Sequence, residues 1–285
     1  DDRGLTYPRT FDETIAAARS LHRPAQEFYG IAWNGHRGMP IAHSFMFFLA
    51  ACQKTIIDMP LHNPESWDFP SFEKLKLQID TVDAVEVIEY MKQLVEVSPP
   101  DIEFMDWEKR IQCFMSGRAG LAYCWTMRAA RFEHELSSQV ARRVAYLPPP
   151  SRRMRQIAAP IGGFLMTIPA TVKRARQKQI IDAIAWMVSP EAMKAHVKNG
   201  FPVAPRFSVC ADPEALASSP IVSMVDQLAR RNELVTWARP PIKEFSLIEQ
   251  ILGTEIHDAV FHGKNPKQAL RDAENSILRA VNAAQ

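Results

Sequence analysis

No apolar run in the sequence approaches the roughly 18 residues that a membrane-spanning helix requires. The longest, Phe45 to Cys52, falls far short, so direct membrane insertion is not expected. An excess of one charge is also missing: 34 Lys and Arg stand against 32 Asp and Glu, for a net charge of +2. That balance favours neither nucleic acid nor an anionic surface. Cysteine is scarce, and Cys52, Cys113, Cys124 and Cys210 show no C-x-x-C pair and no metal-ligand spacing. Three of them lie in apolar stretches and read as buried free thiols.

Catalytic signatures are lacking too. There is no G-x-G-x-x-G, no Walker loop and no G-x-S-x-G elbow. His134-Glu135 opens like a zinc-protease helix, but the run continues as HELSSQ without the second histidine. No spacing selects a pair among the histidines and carboxylates, so the sequence points to no enzyme, no cofactor and no metal. No signal peptide is visible and the chain opens on Asp1, which tilts toward a mature secreted chain or a fragment.

What is present is a succession of helix signals separated by a few short strand-length runs. Thr10 with Glu13 forms a capping box for a helix to about His22. Glu27 to Trp33 reads as a strand, closed by Asn34-Gly35. The helix from about Met39 to Gln53 is apolar on all sides and is expected to be buried. Asp80 is the expected cap of an amphipathic helix through Val82, Val85, Ile88, Met91 and Val95. A short strand is expected near Lys76 to Ile79.

The stretch Val97 to Arg128 is the most informative. Pro99 and Pro100 interrupt the preceding helix. Asp106 caps the next one, and Gly117 ends it. Ala119 to Trp125 has the length of a strand, with a helix over Thr126 to Ser137 following. A strand feeding a helix start leaves backbone N–H groups and Trp125 at the strand's carboxyl end, where open α/β sheets take ligands. A strand is also expected over Arg143 to Leu147. The run Pro148 to Arg153 then reads as a stiff linker, with Arg152, Arg153 and Arg155 in a solvated loop.

Ile161 to Ile168 reads as a strand opened by Gly162-Gly163, glycines that imply close approach by another group. A helix is expected over Gln177 to Val188. Ser189-Pro190, Asp212-Pro213, Ser219-Pro220 and Asn265-Pro266 are cap-plus-proline helix starts. A penultimate helix from Lys243 to His262 ends at Gly263, and the last runs to about Val281. Few strands among many helices give a helix-rich α/β architecture with small sheets.

Six segments carry a family resemblance, in the family's order. PRTFDE at Pro8 to Glu13, YGIAWNGHRG at Tyr29 to Gly38, and the SPP…W…F…GRA…W pattern ending at Trp125 are the first three. IGGFLMTIP at Ile161 to Pro169 and AIAWMVSPEAMKAHVKNGFPVAPR ending at Arg206 follow, and ILGTEIHDAVFHGKNPKQALRDAENSI closes the set. Together they resemble the extracellular solute-binding proteins of sugar ABC importers, the maltose-binding-protein relatives.

The resemblance implies a two-lobed periplasmic-binding-protein fold of type II, closing over ligand, in a periplasmic or extracellular location. It places the well over one hundred residues of most of the amino-terminal lobe outside this chain. Residues 1–157 would begin the carboxyl-terminal lobe, 158–208 would return to the other lobe, and 209–285 would close the first. The implied ligand is a carbohydrate or polyol, and the implied partners are ABC permease subunits, with a second chain as one source of the missing lobe. The rival reading is a small sugar-acting hydrolase or lyase, or a remnant without ligand binding.

Sugars stack their ring faces on aromatics and bond their hydroxyls to planar polar groups. The resemblance accordingly points to Trp125, Phe164, Gly163, Arg37, Arg206 and Phe245 as ligand-lining residues, with Trp33, Asn34 and His36 sharing the Arg37 loop. Trp107 and Trp186 lie on amphipathic segments and read as core. An isolated chain of this kind is expected to expose apolar surface.

Overall fold

The computed structural model describes residues 5–58, 76–152, 157–163, 166–235, 239–240 and 242–283. Helix α1 (Phe11–Leu21) starts where Thr10 Oγ1 accepts from the Glu13 N–H, while Glu13 Oε2 reaches back to the Arg9 N–H at 2.7 Å. The capping pair forms, with its return bond one residue earlier than the ordinary box. Strand β1 (Tyr29–Ala32) follows, then α2 (Met39–Ala51) and α3 (Val82–Val95). Thr81, not Asp80, caps α3, its hydroxyl accepting from the Ala84 N–H. Near Lys76, only a single antiparallel bridge from Leu77 to Ile57 forms.

Helix α4 (Trp107–Met115) is capped by Asp106, whose carboxylate accepts from Glu108 and Lys109, and Gly117 ends it at positive φ. Strand β2 (Ala119–Ala122) leads through a 3-10 turn at Thr126–Arg128 into the short α5 (Ala129–His134). Residues 143–147 run as irregular chain where a strand was expected: Tyr146 gives its hydroxyl to Glu133, and Val144 packs under α5 rather than into a sheet.

Strand β3 (Ala159–Pro160) is shorter than the expected Ile161 to Ile168 run and precedes it. Then come α6 (Arg174–Met187), α7 (Pro190–Lys198), α8 (Phe207–Cys210), α9 (Pro213–Ser218) and α10 (Pro220–Arg230). Ser189, Asp212 and Ser219 each cap the helix that their proline opens. Strand β4 (Leu234–Val235), α11 (Phe245–Phe261) and α12 (Pro266–Ala283) complete the order.

Among the described residues two small parallel sheets form. β1 pairs with β2 in the register Tyr29↔Ala119 and Ile31↔Leu121, and β3 pairs with β4 as Ala159↔Leu234. The main core gathers α1, β1, α2, α3, α11 and α12. Helix α2 lies at its centre, with Phe45, Met46, Phe48 and Leu49 buried, as its all-round apolarity requires. Phe11 stacks on Tyr90 at 4.0 Å, and Phe48 meets Tyr90 edge-on at 5.1 Å. A smaller core joins α7 to α10, and a third seats α4 and α5 on α10.

Helices α2 and α11 touch at glycine. A Cβ on Gly253 would stand 2.1 Å from the Gly38 carbonyl oxygen, so only glycine lets the two backbones meet there. Next to this contact, buried Glu249 of α11 pairs with His43 of α2.

The proline-rich segment is anchored at Ser151 and Arg152. Ser151 exchanges backbone hydrogen bonds with Arg9 and Phe11, and Arg152 pairs with Asp83 and Glu86 of α3. Arg153 and Arg155 lie outside the described residues, as does Trp67. The four cysteines form no disulfide; Cys113 and Cys210 are buried, and Cys52 and Cys124 partly so. Burial pushes the Cys113 thiol up to about 11, far from thiolate chemistry.

Gly253→Ala is expected to lower stability by about 1–3 kcal/mol, the usual cost of forcing an atom into a filled contact. Urea denaturation checks it; an unchanged midpoint would show that the helices separate without cost.

Candidate functional site

The two sheets are parallel, so each presents both of its carboxyl ends on one edge. β1 runs out into Trp33-Asn34-Gly35-His36-Arg37, and β2 into Tyr123-Cys124-Trp125. β3 runs out into Ile161-Gly162-Gly163, while Arg239 follows β4. The residues that follow β2, β3 and β4 meet in one place. A Cβ on Gly162 would come 2.9 Å from Arg239 Nη2 and 3.9 Å from Trp125 Cζ2. The glycine admits an indole and a guanidinium on the same side. Gly163 beside it is exposed, with open space where a side chain would project.

Trp125 is 36% exposed, at the start of the 3-10 turn after β2. An aromatic face, backbone N–H groups and a guanidinium are the components that hold a polyhydroxylated molecule. Arg110 of α4 lies behind, buried against Cys124, and its Nε has no hydrogen-bond partner among the described residues. Burial holds the Arg110 pKa below the ordinary value and pushes the Cys124 thiol up.

The other sequence-derived candidates fall elsewhere. Trp33 is fully buried, gives its indole N–H to Ser98 at 3.0 Å and stacks on Phe261. Its ring has no face left for a ligand. Asn34 is also buried, and its Oδ1 has no partner among the described residues. His36 is exposed, its Nδ1 2.9 Å from the Arg37 carbonyl, and Arg37 pairs with Asp258 of α11. Arg206 donates from Nε to the Val188 carbonyl at 2.6 Å, holding the end of α6 to the start of α8. Phe245 opens α11 half-buried against the main core. Phe164 lies outside the described residues.

Sequence reasoning missed Arg239 and Arg110. Arg239 becomes visible only through the β3–β4 pairing, which joins segments far apart in the chain. Arg110 sits among apolar neighbours on an amphipathic helix, where a charged residue on the inner face is the one available signal. Trp107, expected in the core, is half-buried at the start of α4 beside His43. Trp186, also expected in the core, is 72% exposed: α6 buries none of its residues.

Small parallel sheets with helices on their faces and loops gathered at the carboxyl ends of the strands form the type II periplasmic-binding-protein architecture, helix-rich in this chain. Residues 7–223 match the profile of bacterial extracellular solute-binding proteins, and the chain belongs to that family.

Among solved structures, it is similar to a solute-binding protein of Agrobacterium radiobacter K84 in complex with ribitol. There the identity is 24% and the TM-score 0.82, over 98% of this chain and 66% of that one. It is also similar to maltose-bound MalE3 of T. maritima, at 20% identity and a TM-score of 0.80, over 98% and 67% of the two chains. A third is the Agrobacterium vitis S4 protein with bound D-mannitol, at 18% identity and a TM-score of 0.75, over 99% and 68%. The chain thus spans about two-thirds of the length of these structures. No curated protein matches it. Among the described residues no helix is long and apolar enough to cross a membrane.

The two described tryptophans nearest the strand ends should separate cleanly. Trp33→Ala is expected to cost about 3–5 kcal/mol, as for other buried aromatics. Trp125→Ala should cost less than half as much in the same urea titration. Equal costs would place Trp125 in the core rather than at an open edge.

Proposed function

We propose that this chain is the ligand-capturing part of an ABC importer for a carbohydrate or polyol, working by binding and lobe closure without chemistry. The observation that carries this reading is the meeting of Trp125, the Gly162-Gly163 backbone and Arg239 at the carboxyl ends of the parallel strands. Family membership supports it. So do the ribitol, maltose and D-mannitol bound by the similar structures, all polyhydroxylated.

In this reading a sugar or polyol lays an apolar face on the Trp125 indole. Its hydroxyls bond to Arg239 and to the backbone at Gly162-Gly163. Arg37, His36 and Arg206 would act at the rim, where movement frees them from their present partners. Closure traps the ligand in a water-poor cleft, and the closed form is what permease subunits would engage. The chain would work outside the cytoplasmic membrane.

Residues 158–208 are assigned here to the second lobe, returning from the lobe formed by 1–157 and 209–285. The exposed apolar side chains support the assignment. Ile161, Met166, Ile181, Trp186, Met187, Phe201 and Phe207 are all exposed and all fall between those limits. A surface of this kind marks a face that another element covers. The remaining third of the relatives' length is the natural source of that element, on the same chain or on another.

Two measurements test the proposal. Thermal melting with millimolar ribitol, D-mannitol and maltose is expected to show a rise with at least one of them, abolished in Trp125→Ala, the ligand being recovered unchanged by NMR. Conversion of the ligand, or an equal rise in the variant, would overturn it. Anilinonaphthalene sulfonate should bind the chain and fluoresce, and Ile181→Glu with Met187→Glu should lower the signal. Unchanged fluorescence would remove α6 from the apolar face.

A further inference from the structure

At the far end of α11 three side chains from distant parts of the sequence face one another. Glu103 comes from the 3-10 turn Ile102–Phe104, His257 from the buried side of α11, and His262 from its C-cap. Glu103 Oε1 lies 3.1 Å from His262 Nε2 and 3.8 Å from His257 Nε2. One donor atom from each of the three lies within 4.8 Å of the other two. The imidazole rings of His257 and His262 are 5.2 Å apart.

A hydrogen bond between Glu103 and His262 accounts for only part of this arrangement. His257 is 3% exposed, its Nε2 stands beyond hydrogen-bond length from the carboxylate, and its Nδ1 has no partner among the described residues. The ring also meets the Glu103 backbone, and it is Nε2 that turns toward the carboxylate without bonding to it. A cation between the three groups would be bound by that nitrogen, the carboxylate and His262 together. A tetrahedral ion with bonds of roughly 2.0–2.2 Å needs donors about 3.4 Å apart. The two carboxylate–imidazole distances lie on either side of that value. The neighbouring positive charge is already offset, since Arg37 pairs with Asp258.

The geometry points to a transition-metal site, zinc by donor type, formed by Glu103, His257 and His262 with a fourth position open to water. Two imidazoles and one carboxylate suit zinc and not magnesium or calcium, which take oxygen donors. The ion would tie the 102–104 turn to the end of α11. Between those two elements sits Gly35, where an added Cβ would strike the Ile102 carbonyl at 2.2 Å and the Phe261 ring at 3.1 Å. The site would therefore fix the loop that follows β1. It is separate from the Trp125 edge and does not depend on ligand capture.

Isothermal titration of the tag-free, chelator-stripped chain with zinc chloride alone tests the assignment. The expected result is one saturable equivalent at micromolar affinity or tighter, weakened at least about tenfold, as for loss of a metal-supporting group, in Glu103→Gln and in His262→Gln. Both residues are partly exposed, so both variants should fold, and His196→Gln, on an exposed histidine elsewhere, should bind as the parent does. Cobalt in place of zinc should give the intense visible bands of a tetrahedral site, lost in both variants. No saturable binding at micromolar zinc, or unchanged binding in Glu103→Gln and His262→Gln, would overturn the assignment.

Discussion

The contact between Gly253 and Gly38 allows the main lobe to exist in this form. It brings α11 against the first turn of α2 at backbone distance, so both helices bury their inner faces without a gap. Glu249 and His43 pair immediately alongside, and a buried carboxylate needs such a partner. Because the start of α2 is fixed, the loop leaving β1 is fixed with it. Gly35 sits beneath the Ile102 carbonyl, and its N–H bonds to the Met105 carbonyl at 3.0 Å. Arg37 then reaches Asp258 on the same helix. One close approach thereby positions the first strand end and the corner where Glu103, His257 and His262 meet.

The open edge depends on a second constraint, parallel pairing. β1 and β2 are each four residues long, and β3 and β4 two, too short to form an extensive sheet by themselves. Their value lies in direction. Within each pair the strands point the same way, and the residues that follow β2, β3 and β4 come together. Gly162 keeps that surface low enough for Trp125 and Arg239 to lie together. The opposite character appears on α6, which faces outward with its apolar residues uncovered. The molecule combines a tightly filled lobe with a helix, α6, none of whose residues is buried among the described residues.

Much of this was legible in the sequence where the signal is local. Thr10, Asp106, Ser189, Asp212, Ser219 and Asn265 all act as caps, because each supplies an acceptor one turn before free N–H groups. The burial of α2 followed from its lack of a polar face. What was not legible depends on distant partners. Trp33 and Trp125 both end short strands, yet Ser98 and Phe261 take Trp33 into the core while Trp125 stays 36% exposed. Arg239 joins Gly162 through a strand pair that no local pattern announces. Trp186 has helical spacing suited to burial, yet it is 72% exposed among the described residues. The run Arg143 to Leu147 has strand composition, yet Val144 and Tyr146 pack beside α4 and α5 and Tyr146 bonds to Glu133.

The central claim is that ligand is held on the Trp125 face. Fluorine NMR of the fluorotryptophan-labelled chain tests it most directly, with the Trp125 resonance identified from Trp125→Phe. Titration with the polyol that raises the melting temperature should move the Trp125 signal and leave the Trp33 signal in place. Saturating binding that leaves Trp125 unmoved would contradict the account.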